Sequence, residues 1–435
     1  MGMTCIIPIY FSSGSESAVH ELILITIAGA DRPAVTSAVT AILARHHANV
    51  LDIGQAVIHD TLSLGLLVEF SAEHDSSPAV KEIVYAMYNM SMQVGFQPIT
   101  LDSYAEWVSH HGKKRHIVTL LARQITAEQL SCLTSIMAEQ GLNIDNISRL
   151  SGRVALSLEE NTNSTLDCTP TKACIEISAR GEPVSPTKLR AAFTDMASRL
   201  DVDIAFQADS IYRRTRRLVC FDMDSTLIEA EVIDELAKAH GVGDQVAIIT
   251  EQAMRGEIDF NQSFAKRMAL LKGLDESVLE NIAANLPITE GAEHLLKTLN
   301  QLGYKTAILS GGFNYFGRYL QKKLGIDYVF ANELEIENHQ VTGRVVGTVV
   351  NGERKAELLK ELAQQENISL EQVIAVGDGA NDLPMLSVAG LGIAFRAKPL
   401  VKASAKQSIS TLGLDAILYL MGFRDREMGL SHSDN

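Results

Sequence analysis

The stretch LVCFDMDST, residues 218–226, joins a short apolar run to two aspartates that are separated by one residue. Four apolar residues followed by polar ones are typical of a buried strand that ends at a functional site. From this strand onward, patterns typical of strands and of helices alternate along the chain. The alternation predicts an α/β fold whose mainly parallel sheet is covered by helices on both faces. The later apolar runs that indicate strands are YKTAILSGG (304–312), YVFANELEIE (328–337), VTGRVVGTVV (341–350), VIAVGDG (373–379) and GLGIAF (390–395).

Polar and glycine residues lie at the ends of these runs, where sites form in open parallel sheets. Lys355 is also a candidate, but it lies near the start of a predicted helix and not at the end of a strand. Aspartates from two different strands suit Mg²⁺, which prefers oxygen ligands. Together these stretches predict a magnesium-dependent phosphoryl-transfer site. Its candidate residues are Asp222, Asp224, Ser310, Gly311, Lys355, Asp378, Asn381 and Asp382.

The candidates have distinct expected tasks. Asp222 is predicted to attack phosphorus and form an aspartyl-phosphate, while Asp224 acts first as general acid and then as general base. One Mg²⁺ is expected to bind Asp222, Asp378 and the backbone carbonyl of Asp224. Asp382 would orient the loop that contains Asp378 and Asn381, or hold a metal-bound water. The residues expected to bind the phosphate are Ser310, Gly311, Lys355 and Asn381.

The region before residue 211 contains one pattern twice. Strand-like and helical runs follow in the order βαββαβ from about residue 22, and the same order returns from residue 116, which predicts two ferredoxin-like domains. The polar runs HHGKKRH (110–116) and YRRTRR (212–217) are interpreted as solvated linkers, and 158–171 as an exposed loop. The expected segments are an N-terminal extension (1–19), the two domains (20–108 and 115–210), an α/β domain (211–425) with a helical cap at about 233–284, and a tail (426–435).

The overall composition excludes several classes of protein. A net charge of −15 over 435 residues works against binding to nucleic acid or to anionic membrane, because both require a basic surface. No apolar run approaches the roughly 20 residues that cross a bilayer. Five scattered cysteines form no C-x-x-C pair and predict neither a disulfide framework nor a zinc site. Because no signal peptide is recognisable, the expected location is the cytoplasm.

Residues from about 217 to 420 resemble the haloacid-dehalogenase superfamily, and more closely its phosphoserine phosphatase branch. The resemblance implies a Rossmannoid sheet with a small helical cap over the site. It also implies that Glu231 meets the substrate ammonium and Arg267 its carboxylate, while Met254 and Phe260 shield the site from water. The stretches that carry it are FDMDSTLIEAEVIDELA (221–237), EQAMRGEIDFNQSFAKRMALLKGL (251–274), ILSGGF (308–313) and VGDGANDLPML (376–386).

The N-terminal half resembles a tandem of ACT domains, which are ligand-sensing modules of the βαββαβ type. The stretch ITIAGADRPAVTSAVTAIL (25–43) carries this likeness, with Ala34 where the family often has a glycine. The second copy reads LLARQITAEQL (120–130) and has neither that glycine nor the proline. The resemblance implies an amino-acid effector such as serine near Gly29 and Asp31, and a homodimer formed through paired sheets.

The predicted activity is hydrolysis of O-phospho-L-serine to L-serine and phosphate, in serine biosynthesis. One alternative is a phosphatase or phosphotransferase for another small phosphometabolite. Another is an amino-acid-sensing regulatory protein whose phosphatase-like half is inactive. The expected partners are a small phosphoester, an amino-acid effector and a second copy of the chain, with no nucleic acid and no membrane.

Overall fold

The computed structural model describes residues 20–71, 73–109, 112–153, 171–255 and 257–428. The expected N-terminal extension, nearly all of the loop at 158–171 and the end of the tail lie outside these ranges. The chain divides into two compact units, residues 1–112 and 113–435, which are described separately. Within the described ranges, every helix is too short or too polar to cross a lipid bilayer.

The first unit contains a four-stranded antiparallel sheet in the order β2-β3-β1-β4, called the first repeat. Its helices α1 and α2 pack on the face that carries Ile23, Ile25 and Ile27. Helix α3 was missed in the sequence. Its apolar residues Leu101, Tyr104 and Val108 lie at helical spacing, but none of its side chains is fully buried. The elements are β1 (Glu21–Ala30), α1 (Val35–Arg45), β2 (Asn49–Ile58), β3 (Thr61–Phe70), α2 (Ser77–Asn89), β4 (Gln93–Ile99) and α3 (Leu101–Ser109).

The second unit begins with a sheet of the same topology, in the order β6-β7-β5-β8, called the second repeat. Strand β5 includes the end of the run 110–116 that was interpreted as a solvated linker. His116 in this run is buried and stacks on Phe206, with ring centroids 4.7 Å apart. The elements are β5 (Arg115–Ala122), α4 (Ala127–Glu139), β6 (Asn143–Arg149), β7 (Ala173–Arg180), α5 (Pro186–Leu200) and β8 (Asp203–Ala208).

A seven-stranded sheet in the order β12-β11-β10-β9-β13-β14-β15 forms the centre of the α/β domain. All neighbours are parallel except β11 and β12, so the predicted fold class is confirmed. The strands are β9 (Leu218–Phe221), β10 (Lys305–Phe313), β11 (Tyr328–Glu337), β12 (Gln340–Val346), β13 (Val373–Gly377), β14 (Leu391–Phe395) and β15 (Gln407–Ile409).

Helices cover both faces of this sheet. Val219 and Phe221 of β9 join one apolar cluster, whereas Leu218 and Cys220 join another, so all four residues of the strand are buried. Strand β9 is apolar throughout for this reason. Helices α6–α9 lie between β9 and β10, in the range expected for the cap. The helices are α6 (Val232–Ala239), α7 (Gly243–Met254), α8 (Phe260–Leu270), α9 (Val278–Ala284), α10 (Ala292–Gln301), α11 (Asn314–Leu324), α12 (Gly352–Gln365), α13 (Leu383–Val388), α14 (Pro399–Ser404) and α15 (Ile417–Leu420).

The second repeat packs directly on the α/β domain. Leu121, Leu150, Cys174 and Ala205 belong to the same apolar cluster as Phe221. The side-chain amide of Gln407 accepts from the backbone N–H of Phe206 at 3.0 Å and donates to its carbonyl at 2.7 Å, which connects β15 to the outer strand β8. The second repeat therefore shares one apolar cluster with the α/β domain, and its helices α4 and α5 pack in a second cluster of its own.

The interpretation of YRRTRR (212–217) as a solvated linker is wrong. Arg213 and Arg216 are only 2% and 5% exposed. Arg213 Nε donates to the Leu420 carbonyl at 3.2 Å, and its guanidinium pairs with Glu176 of the second repeat. The run has a buried face and a solvent face, and composition alone cannot distinguish them.

Candidate active site

Asp222 lies at the end of the central strand β9, with its side chain in the protein interior. Its backbone N–H donates to the Val376 carbonyl at 2.9 Å, which extends the contact between β9 and β13 by one residue. Asp378 follows the end of β13, and Ser310 lies near the end of β10. Because β10 and β13 flank β9 in parallel, these three residues meet at the same edge of the sheet.

Lys355 joins two of the candidate carboxylates. It lies in the first turn of α12, after Asn351, whose Oδ1 accepts from the N–H of Arg354 at 3.0 Å. Lys355 is fully buried, with Nζ 2.8 Å from Asp222 Oδ1 and 2.7 Å from Asp382 Oδ1. Burial alone would lower the pKa of this lysine, but the charges of Asp222 and Asp382 outweigh it and raise the pKa overall. The ammonium therefore stays charged.

The carboxylates of Asp222, Asp378 and Asp382 form one cluster, with oxygen atoms within 4.8 Å of one another. Desolvation, followed by repulsion from neighbouring carboxylates, raises the pKa of Asp378 to about 8. The same causes raise the pKa of Asp382 to about 7. One lysine cannot balance three ionised carboxylates, so two of them hold protons to a higher pH than usual. Their oxygen atoms would suit a hard divalent cation such as Mg²⁺, which would favour the ionised forms.

Asp224 lies on the turn after β9, beside the start of the cap. Its Oδ1 accepts from the backbone N–H of Val232 at 3.2 Å, at the first residue of α6. Desolvation is the main cause that raises its pKa well above the usual value, followed by the charges of Glu231 and Asp222. A carboxyl group that keeps its proton near neutral pH is suited to donate it. The next residue, Ser225, has a left-handed backbone with a φ of 55°.

The glycine-rich stretch at the end of β10 allows unusually close contacts. A Cβ atom at Gly312 would lie 2.6 Å from Asp224 Oδ2, and one at Gly311 would lie 3.2 Å from Phe260 Cζ. The backbone N–H of Gly312 donates to the buried Ser310 hydroxyl at 2.9 Å. A side chain larger than hydrogen would push Asp224 out of place. Asn381 makes a comparable contact, because a Cβ at Gly379 would lie 2.2 Å from its Oδ1.

Two buried polar residues near the site were missed in the sequence. Thr226 Oγ1 donates to Asp378 Oδ1 at 3.2 Å. Asn332 Nδ2 donates to the Gly311 carbonyl at 2.7 Å, and its Oδ1 accepts from the Val350 N–H at 2.9 Å. The signal for Asn332 was a polar residue directly after the apolar run YVFA (328–331), and a polar side chain that is buried there needs hydrogen-bond partners.

The cap carries Glu231, Phe260 and Arg267 toward this edge of the sheet. Glu231 remains accessible to solvent and accepts from Ser225 Oγ at 2.8 Å, and desolvation is the main cause that raises its pKa. Arg267 Nε is buried and has no hydrogen-bond partner among the described residues. Desolvation lowers the pKa of Arg267, and the charge of Glu231 opposes this shift. Phe260 stacks on Phe264 at 6.1 Å, whereas the side chain of Met254 lies outside the described part.

Comparisons with known proteins agree with this architecture. Residues 216–390 match the family model of haloacid dehalogenase-like hydrolases, and residues 21–97 and 114–207 match two ACT-domain models. Phosphoserine phosphatase SerB2 of Mycobacterium tuberculosis is 37% identical over 92% of this chain and 93% of its own length. A phosphoserine phosphatase of Streptomyces coelicolor is 37% identical over 96% of both chains. The chain belongs to the phosphoserine phosphatase family.

A solved structure supports membership of the phosphoserine phosphatase family. The probable phosphoserine phosphatase from Vibrio cholerae, in its unliganded form, superposes with a TM-score of 0.54. It is 31% identical, and the match covers 73% of this chain and 90% of the solved chain. The predicted family is therefore confirmed by both sequence and fold.

The candidate effector residues of this phosphoserine phosphatase family member lie in the first repeat. A Cβ atom at Gly29 would lie 2.6 Å from Met92 Sδ, so a larger residue here would require the Met92 side chain to move. The backbone N–H of Asp31 donates to the Asp60 carbonyl at 2.7 Å. Ala34 has a left-handed backbone with a φ of 76°, at the position where the ACT resemblance expects glycine.

Proposed function

We propose that this chain hydrolyses O-phospho-L-serine to L-serine and phosphate in a Mg²⁺-dependent reaction. The observation that carries the proposal is the buried pairing of Asp222 with Lys355 beside Asp224, whose raised pKa favours its protonated form. The names of the two full-length relatives support phosphoserine as the substrate. Serine biosynthesis is the corresponding route, and the cytoplasmic location stays a prediction from the sequence.

Asp222 is the proposed nucleophile. Lys355 Nζ and the backbone N–H of Met223 both donate to its Oδ1, at 2.8 and 2.7 Å, which orients the carboxylate and leaves Oδ2 for the attack. Attack on phosphorus breaks the bond to the serine oxygen, and Asp224 protonates that oxygen as it leaves. Asp224 then takes a proton from water, which attacks the aspartyl-phosphate and releases phosphate and free Asp222.

The phosphate group would be held by the residues at the strand ends. The Ser310 hydroxyl, the Gly311 N–H, the Asn381 side chain and the Lys355 ammonium supply donors to the oxygens that gain charge in the transition state. Mg²⁺, held by Asp222, Asp378 and the backbone carbonyl of Asp224, would neutralise the substrate phosphate when bound. Asp382 holds Lys355 and accepts from the Gly379 N–H at 2.9 Å, so it orients this loop.

The cap supplies the proposed amino-acid recognition. Glu231 offers a carboxylate for the substrate ammonium, and the unpartnered Nε of Arg267 is suited to the substrate carboxylate. Phe260 lies against Gly311 and excludes water from the phosphate. A phosphosugar offers neither charged group, so this pair favours phosphoserine.

Replacement of Asp222 by asparagine tests the nucleophile. We expect Asp222→Asn to lose phosphoserine turnover by about 10,000-fold, because an amide does not form the phosphoenzyme. Phosphate release would be measured with Mg²⁺ present and again after a chelator has removed it. We expect turnover to be lost both in Asp222→Asn and in the unmodified chain without Mg²⁺. The control is Asp244→Asn, at an exposed position in α7. Equal turnover in Asp222→Asn and the unmodified chain would refute the assignment.

Replacement of Arg267 by alanine tests substrate recognition. We expect the preference for phosphoserine over a phosphosugar to fall by about 10- to 100-fold, because a charged hydrogen bond to the carboxylate is lost. The matched control is Lys266→Ala, the exposed neighbour on α8. The ratio of kcat/KM for the two substrates is the measurement, and an unchanged ratio in Arg267→Ala would refute the carboxylate role.

The first repeat supports two further parts of the proposal, a homodimer and an amino-acid effector. Strand β2 is an edge strand that exposes the apolar side chains of Val50, Ile53, Val57 and Ile58. An exposed apolar edge is a surface for pairing with a second copy of the chain. Serine is the proposed effector, at the turn that contains Gly29 and Asp31.

A further inference from the structure

Two chain segments connect the seven-stranded sheet to the cap. The entry linker is residues 225–231, and the exit linker is residues 285–291. They pair with each other through an antiparallel bridge between Ile228 and Ile288. Backbone hydrogen bonds of 2.9 and 3.0 Å flank this bridge. Because the linkers are paired, displacement of one displaces the other.

A row of four charged side chains holds these linkers. Glu290 of the exit linker accepts two parallel hydrogen bonds from Arg123, with both N–O distances 2.8 Å. Arg396 Nη2 donates to the same Glu290 at 2.8 Å, and its Nη1 donates to Glu229 of the entry linker at 2.8 Å. The forked guanidinium groups suit this bidentate arrangement. Each linker therefore has a charged anchor.

The two arginines come from different domains. Arg123 directly follows β5 of the second repeat, whereas Arg396 directly follows β14 of the α/β domain. The hydrogen bonds from Arg123 lower the pKa of Glu290, so this carboxylate is charged at neutral pH. The Glu290 carbonyl also accepts from the Leu414 N–H at 2.8 Å, which fixes the backbone on which Arg123 acts. The second repeat thus contacts the exit linker directly.

We propose that Arg123 is a positioning residue for recognition of the amino-acid part of the substrate. It holds Glu290 and the exit linker, and the paired entry linker carries Glu231 two residues after Glu229. The inference rests on the proposed function, because it assigns to Glu231 the substrate ammonium. In this chain the second ACT domain accordingly helps to position the phosphatase's substrate site.

Two central residues of the phosphate site are held from outside the linkers, although Thr226 of the entry linker also donates to Asp378. Asp222 and Lys355 are held by the sheet, by α12 and by each other, and neither contacts the four-residue charge row. Arg123 and Glu290 are 35% and 24% exposed, so solvent screens their interaction and its loss should cost less than the loss of a buried ion pair. Loss of Arg123 should therefore change the position of Glu231 more than it changes folding or phosphate binding.

Two substrates distinguish these effects. Phosphoserine carries an ammonium and a carboxylate, whereas phenyl phosphate carries only the phosphate. For Arg123→Ala we expect kcat/KM for phosphoserine to fall by about 2- to 30-fold, mainly through KM, with phenyl phosphate hydrolysis unchanged. Arg123→Lys should recover part of the loss, because lysine keeps the charge without the fork. Glu290→Gln should reproduce the loss.

The matched control is Arg190→Ala. Arg190 also reaches from the second repeat to the α/β domain, where it donates to the Ala405 carbonyl at 2.8 Å, away from both linkers. Arg190→Ala should leave kcat/KM unchanged for both substrates. Equal losses for phosphoserine and phenyl phosphate in Arg123→Ala would overturn the inference, as would no loss at all. An unmodified chain that hydrolyses phenyl phosphate but not phosphoserine would instead refute the proposed function.

Discussion

The two βαββαβ repeats have the same strand order but different surroundings. The first repeat belongs to a compact unit of its own, whereas the second shares an apolar cluster with the seven-stranded sheet. Their last strands show the difference, because β4 contains no buried residue and β8 alternates buried with half-buried ones. The comparison teaches that the same fold can form a compact unit of its own or pack on a neighbouring domain, according to which apolar side chains its sheet presents.

Deletion of each repeat is the strongest test of this comparison. A chain that begins at residue 113 should keep phosphatase turnover but lose dimer formation and any serine binding. For a chain that begins at residue 211 we expect the free energy of unfolding to fall by about 5 kcal/mol or more, because the apolar surface that meets Leu121, Leu150 and Cys174 becomes exposed. Soluble yield, sedimentation velocity, serine calorimetry and thermal unfolding measure these outcomes. Equal stability of the two truncated chains would contradict the comparison.

Arg213 tests the second repeat's attachment with a single substitution. We expect Arg213→Ala to lower the free energy of unfolding of the second unit by about 3 kcal/mol, because it leaves Glu176 without its buried partner. The matched control is Arg214→Ala, at an exposed position in the same basic run, and its expected effect is within about 0.5 kcal/mol. Urea unfolding measures both, and similar effects would show that the burial of Arg213 is unimportant.

The helix starts of the two repeats provide the smallest test. Thr126 begins α4 with a capping box that includes Gln129, whereas Ala34 precedes α1 with a left-handed backbone and no side-chain cap. We expect Thr126→Ala to lower the free energy of unfolding of the second unit by about 1 kcal/mol. Ala34→Gly should stabilise the first unit by about 0.5 kcal/mol, because relief of strain exceeds the added entropy of the unfolded chain. Thermal unfolding of both variants is the measurement, and a destabilised Ala34→Gly would contradict the strain argument.

Much of the fold was predictable because local patterns and tertiary structure agree. Both repeats and the mainly parallel sheet follow from apolar runs whose period matches the burial observed. Helix α3 and strand β15 were missed. The apolar residues Leu101, Tyr104 and Val108 give α3 a helical pattern that could have predicted it, whereas the three residues of β15 form a strand only through their neighbour β14.

The candidate site was predictable to a similar degree. Its carboxylates were visible because they end apolar runs, and the structure brings Asp222, Asp378 and Asp382 together. The buried Asn332 was not recognised, since its partners lie at Gly311 and Val350, which are distant in sequence. The burial of Arg213 and Arg216 in YRRTRR was also not predictable from the sequence, because it depends on contacts between domains and not on the local residue pattern.

The burial of Lys355 has a consequence for chemical modification. Acylating reagents require an accessible amine that has lost its proton, and Lys355 has no exposed surface, two carboxylate partners and a raised pKa. This lysine should therefore resist acetylation and amine-reactive labels in the folded chain and react only when the surrounding structure opens. Its labelling rate, followed by mass spectrometry, would report the opening of the phosphate site in a chain that carries no substitution.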